Sequence, residues 1–139
     1  MNKRQAENWN RVQDRLMALG FSRDEVEALF RIERTLQRWG ELECGNSNDY
    51  RSWAIERDEA TGKPFMVTHY AQGKPTRHAV ADRERGALKR LETMMLKRPE
   101  LAAYHQGDPR GCALYIVQKS DLRGQDIDSV YTRGVAVCI

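Results

Sequence analysis

The stretch VQDRLMALGFSRDEVEALF, residues 12–30, decides the first half of the fold. Trp9, Val12, Leu16 and Leu19 recur at spacings of three and four, which places them on one stripe of a helix. Gly20 stops that helix, because glycine accepts the left-handed backbone that closes a helix end. Ser22 followed by Glu25 has the form of a capping box for a second helix. Phe21 and Val26 flank the cap at the positions of a hydrophobic staple. The second helix then carries Val26, Leu29, Phe30, Leu36 and Trp39 and runs to about Cys44. A link of two or three residues forces the two helices back to back. Residues 1–45 are therefore expected to form a helical hairpin.

After the turn-rich GNSND the period changes from helical to extended. Tyr50 to Arg57 reads as a strand with Trp53 and Ile55 on one face. DEATGK, residues 58–63, is a turn, and Pro64 to Tyr70 is a second strand. Thr76 to Val80 is a short extended piece. Asp82 is expected to cap a third helix over residues 82–97, with Leu88, Leu91 and Met95 facing inward and Pro99 enforcing its end. Gly86 inside that helix suggests a close backbone contact, since glycine there costs about 1 kcal/mol against alanine. Leu101 to His105 is a short strand, QGDPRG a turn, and Cys112 to Gln118 and Gly134 to Ile139 are strands apolar on both faces. Such strands need cover on both sides. The hairpin or another subunit must supply the second layer, so a homo-oligomer is expected. The fold expectation is α+β: one domain over 1–139, a helical hairpin followed over residues 50–139 by an antiparallel β-sheet with one packed helix.

The chain has 139 residues, enough to bury roughly two thirds of its unfolded surface. It contains no run of about 18 apolar residues, so no membrane span is expected. MNKRQAENWN lacks the apolar segment of a secretory signal. Of the 23 basic residues 17 are arginine, against 20 acidic residues, for a net charge of +3. Arginine offers a planar fork of donors suited to carboxylates and phosphates; ion-paired helix faces are the plain alternative. The small positive excess argues against an acidic mimic of DNA. Three cysteines, Cys44, Cys112 and Cys138, show no paired metal spacing. Cys112 and Cys138 are expected to be buried and unpaired, in a reduced cytoplasm.

Two clusters could carry chemistry. In the first, Tyr104-His105-Gln106-Gly107-Asp108-Pro109-Arg110-Gly111, the glycines free the backbone to aim N–H groups at an anion and Arg110 adds its fork. The plain reading is a hairpin turn in which Asp108 caps its own backbone and Arg110 is solvated. The second is Tyr131-Thr132-Arg133-Gly134, preceded by Arg123, Asp126 and Asp128. A tyrosine beside an arginine can stack a flat ring while the arginine holds a phosphate; an ordinary strand-edge ion pair is the alternative. Catalysis has weaker support. His69, His78 and His105 could act as bases and Cys112 as a nucleophile, yet Cys112 opens an apolar strand, where a thiol is inert. There is no P-loop, HExxH or CxxC, and Asp126 with Asp128 lack further calcium ligands. No catalytic residue, metal or cofactor is expected.

Over residues 25 to 139 the chain resembles a family of small phage and prophage proteins, on the segments ECGNSNDYRSWAIERDEATGKPFMV, YHQGDPRGCALYIV and IDSVYTRGVAVC. DPRGCALY is the most specific of these. A helical pair before a small sheet is also similar in architecture to Thoeris anti-defence sponges. Those proteins bind cyclic ADP-ribose isomers, some bind cyclic oligonucleotides, and the pockets lie between subunits; none of their pocket residues is carried over here. The resemblance implies a phage counter-defence protein in the host cytoplasm that sequesters a nucleotide-derived immune signal without cleaving it. Its ligand-binding residues would be Arg110, Arg133, Asp108, Tyr131, Tyr104, His105 and Arg123. A phage accessory protein that binds a host protein or nucleic acid through an arginine-rich face is the alternative, and a hydrolase of the signal is a third.

Overall fold

In a computed structural model the described residues form three α-helices and seven short strands. The structure describes residues 2–44, 50–70, 74–104, 106–107, 114–122, 130 and 133–138. Helix α1 spans Lys3–Ala18 and α2 spans Arg23–Cys44. Then come β1 (Tyr50–Arg57), β2 (Pro64–Tyr70), β3 (Thr76–Ala79) and α3 (Asp82–Leu96). The chain continues through β4 (Leu101–Tyr104), β5 (Gln106–Gly107), β6 (Tyr115–Gln118), a 3-10 turn at Lys119–Asp121 and β7 (Val135–Ala136). The α+β class and the order of hairpin, strands and helix are as the sequence indicates. No helix among the described residues is long and apolar enough to cross a membrane.

The helical hairpin forms for the reasons written in residues 12–30. Gly20 takes a positive φ of 101°, the conformation that favours glycine. The Glu25 backbone N–H donates to Ser22 Oγ at 3.2 Å, and the Ser22 N–H donates back to Glu25 Oε1 at 2.9 Å. Phe21 and Val26 are both buried in the core. Trp9 stacks on Phe30 with ring centroids 3.9 Å apart, closing the two helices on one another.

The single sheet of expectation is divided. One sheet has the order β3-β2-β1-β5, the other β4-β6-β7, and every pairing is antiparallel. Residues 101–107 supply a strand to each: β4 pairs with β6, and β5 pairs with β1 through Trp53↔Gly107 and Ala54↔Gln106. The β1–β2 turn is drawn tight by Asp58, whose Oδ1 accepts the N–H groups of Ala60 at 2.9 Å and Thr61 at 3.1 Å. Those backbone donors hold the Asp58 carboxyl below its usual pKa.

One core joins the layers. Val12 and Leu16 from α1, Leu29 and Leu36 from α2, and Leu88 and Leu91 from α3 meet Met66, Leu101, Leu114, Ile116, Val135 and Val137. Val117, on the other face of β6, is 1% exposed, and it and Val130 are buried outside that cluster. The strand is thus covered on both faces within one chain, which the expected second subunit is not needed to do.

Three details correct the sequence reading. Asp82 is the first residue of α3 rather than its cap; Ala81 holds the cap position and makes no side-chain bond. A Cβ on Gly86 would meet nothing within 4 Å, so the close contact expected there does not exist. Cys138 is disulfide-bonded, not unpaired, and is only half-buried. Apolar alternation reports burial and carries no information on where a second sulfur lies. The disulfide also removes the thiols as an argument for a reducing compartment; Cys112 lies outside the described residues.

Arg98 ties α3 to the hairpin. Its guanidinium donates to Glu25 Oε1 at 2.5 Å, to the Gly20 carbonyl at 3.0 Å and to the Met94 carbonyl at 3.1 Å, and it lies 4.2 Å from the Phe21 ring centroid. The bond from Arg98 is the chief reason that the Glu25 carboxyl is held below its usual pKa. Glu25 is about a fifth exposed, so Arg98→Met is expected to cost about 2–3 kcal/mol, less than a fully buried pair. Urea unfolding should show a lower midpoint at unchanged slope. With its folded pKa depressed, Glu25 contributes stability above the ordinary glutamate range, and that contribution is lost as pH falls through the folded pKa. The same loss should be smaller in Arg98→Met, where only the Ser22 bonds still lower the Glu25 pKa; identical acid limbs in the two proteins would refute the linkage.

Candidate functional site

A concave site lies along α1. Asn2 caps this helix: its Oδ1 accepts the Gln5 N–H at 2.8 Å, while its own N–H donates to Gln5 Oε1 at 3.0 Å. This reciprocal pair fixes the first turn, and with it the direction of the residues that follow. Arg4, Glu7, Asn8 and Arg11 then share a face, at positions i, i+3, i+4 and i+7. Together with Gln5 they line a cleft of about 680 Å³. Asn8 Nδ2 donates to the Cys138 carbonyl at 3.3 Å, tying α1 to the chain beyond β7. Arg11 Nη2 donates to Asn8 Oδ1 at 2.5 Å, so one amide both fastens the helix and orients an arginine. Among the described residues the cleft therefore offers two guanidinium groups, two amides and one carboxylate.

A second cavity, of about 230 Å³, lies between α3 and the strands. Leu88, Leu91, Met95, Ile55, Leu101 and Ala103 make it apolar, and Arg57 and Glu92 form an ion pair of 3.3 Å at its edge. It is below the size range of about 300–1,000 Å³ typical of ligand sites, and it offers few donors for an anion.

Two of the residues expected to bind ligand are described, and the structure does not bring them together. Tyr104 ends β4, half-buried, opposite Tyr115. Arg133 is exposed and stands 3.8 Å from Asp121, which follows the far end of β6. Three residues of β6 separate the two positions, about 10 Å along the strand. Asp108, Arg110, Arg123, Tyr131 and His105 lie outside the described residues. Of the suggested bases, His78 has its Nε2 3.1 Å from Thr68 Oγ1, across the β2–β3 pair. Among the described residues no three His, Cys, Asp or Glu gather as a metal site.

The sequence reading missed the α1 cleft. Its signal was present as two arginines seven residues apart with an asparagine between them, but a polar helix face of that kind is ordinarily only solvated. Nor does any local pattern announce the approach of Cys138, whose carbonyl accepts from Asn8.

Gly134 controls how the chain enters β7 and where Arg133 is held. A Cβ there would collide with the Val130 carbonyl oxygen and sit 3.3 Å from that of Ile116. Both obstacles are backbone, so neither can swing aside. Gly134→Ala is expected to cost about 1–3 kcal/mol, read as a lowered melting temperature. A melting temperature equal to that of the wild type would show that β7 yields freely.

No protein-family model, curated protein or solved structure matches the chain.

Proposed function

We propose that the protein binds an anionic, nucleotide-type molecule in the cleft along α1 and holds it without cleaving it. The carrying observation is the cleft itself: about 680 Å³, with Arg4 and Arg11 seven residues apart on one helix face. That volume falls within the range of small-molecule sites, about 300–1,000 Å³. A guanidinium fork presents paired donors to a phosphate, and the amides of Gln5 and Asn8 supply neutral donors for ring or ribose oxygens. With the resemblance to phage proteins, the reading becomes a counter-defence sponge for a cyclic ADP-ribose isomer or a cyclic oligonucleotide. On that reading it works in the host cytoplasm as a homo-oligomer. Arg110, Arg133 and their neighbours remain part of the proposal as ligand-facing groups.

Calorimetric titration with cyclic nucleotides and ADP-ribose isomers tests this, with light scattering to read the subunit count. One charge-assisted hydrogen bond contributes about 1.5–3 kcal/mol, so Arg4→Ala or Arg11→Ala should weaken binding roughly 10- to 100-fold. Products should be absent after long incubation. Failure of the wild-type protein to bind any of these ligands would sink the proposal. Binding that survives both substitutions but is lost in Arg110→Ala would keep the function and move the site.

A further inference from the structure

The exposed side of α2 carries a stripe of arginines that neither the fold nor the α1 cleft uses. Arg23, Arg31, Arg34 and Arg38 are all exposed. At 3.6 residues per turn the four fall within an arc of about 80°, spread over about 22 Å of helix axis. Among the described residues none of the four makes an ion pair or a hydrogen bond. Glu27 lies in the same arc, toward Arg23. From Arg31 to Arg38 the arc holds three arginines and no acidic residue.

We infer that this face of α2 docks on the sugar–phosphate backbone of double-stranded nucleic acid, without reading its sequence. Three features select that partner. Guanidinium forks match phosphate oxygens, and a row of them meets a row of phosphates. A protein partner would call for an apolar or aromatic centre to the patch. Among the described residues the exposed large apolar side chains are Met17 and Leu96, on α1 and α3. A single strand would call for a stacking ring, and the arc from Arg23 to Arg38 contains no aromatic residue. Counterion release then drives the association, with a signature in its salt dependence.

The test is fluorescence anisotropy of the full chain with labelled duplexes of unrelated sequence, between about 50 and 200 mM salt, a range over which phosphate contacts are lost steeply. The wild type should bind all duplexes alike, with a slope of log K against log salt near −2.7 for three phosphates neutralised. Arg31→Gln, Arg34→Gln and Arg38→Gln together should remove that slope and weaken binding roughly tenfold or more at low salt, and Arg34→Gln alone should reduce the slope by about one. The triple lysine variant keeps the charges and should keep the slope, which separates loss of charge from loss of fold. Thermal melts should not move, since these side chains are exposed and make no ion pair or hydrogen bond among the described residues. Absence of duplex binding by the wild type at low salt overturns the inference, as does an unchanged slope in the triple glutamine variant. Displacement of duplex by polyglutamate as effectively as by unlabelled duplex, at equal charge, would also overturn it.

Discussion

The Arg98 guanidinium joins parts of the chain more than seventy residues apart in sequence, and the placement of both sheets follows from it. It reaches Glu25 at the start of α2, the Gly20 carbonyl in the hairpin turn and the Met94 carbonyl in the last turn of α3. A buried charge stabilises only when its donors and its partner are all satisfied. Glu25 meets that condition because the Ser22 N–H already donates to the same carboxylate oxygen, Oε1. The hairpin cap and the α3 anchor are therefore one network. From this anchor the chain turns at once into β4, with the Leu101 N–H donating to the Arg98 carbonyl at 3.0 Å. The position of Arg98 thus sets where β4 begins, β4 sets β6 and β7, and residues 106–107 carry the same run of chain into the second sheet.

The remainder of α3 is bound less completely. Glu84, in its first turn, is 3% exposed, and its Oε2 has no hydrogen-bond partner. Arg83 reaches only Oε1, at 3.3 Å, from a side chain that is itself mostly solvated. In α2, Gln37 Oε1 is likewise buried without a partner. Unpaired buried acceptors each cost about 1–3 kcal/mol, comparable with what the Arg98 network contributes. The helix layer is strongly fastened at the hairpin turn and weakly satisfied at the opening turn of α3. A packed interface with one such end opens from that end first.

The elements legible in the sequence were those whose signals are local. The Gly20 stop, the Ser22–Glu25 box and the bounds of β1 and β2 each rest on fewer than ten residues, and each formed as read. The capping box at Asn2 and Gln5 is as local but uses an Asn–Gln pair in place of Ser–Glu, so it passed unread. Asp82 was read as a cap because its residue type suits the position, yet the helix takes one residue more, a shift that residue type alone does not resolve. Gly86 and Gly134 show the same limit from two sides. Both are glycines at element ends or interiors, and only the second meets backbone from elsewhere. The sheet division, the Arg98 network, the Cys138 disulfide and the α1 cleft all depend on contacts between distant segments. Periodicity carries no term for such contacts.

The hairpin also explains why the basic residues fall into two different settings. Each helix must turn its apolar stripe to the core, leaving its arginines only the remaining arc. On α1 Asn8 of that arc donates to the Cys138 carbonyl, and Arg4 and Arg11 line a concave space. On α2 its arginines are exposed and make no ion pair or hydrogen bond among the described residues. A walled site concentrates its field on one small anion, whereas isolated charges on an open helix are screened beyond about 8–10 Å. An open row therefore gains little from a single small anion and much from a polymer, whose condensed counterions it releases one phosphate at a time. The two arginine groups share a residue type and a parent motif, and the layer packed against each one decides the class of anion it can hold.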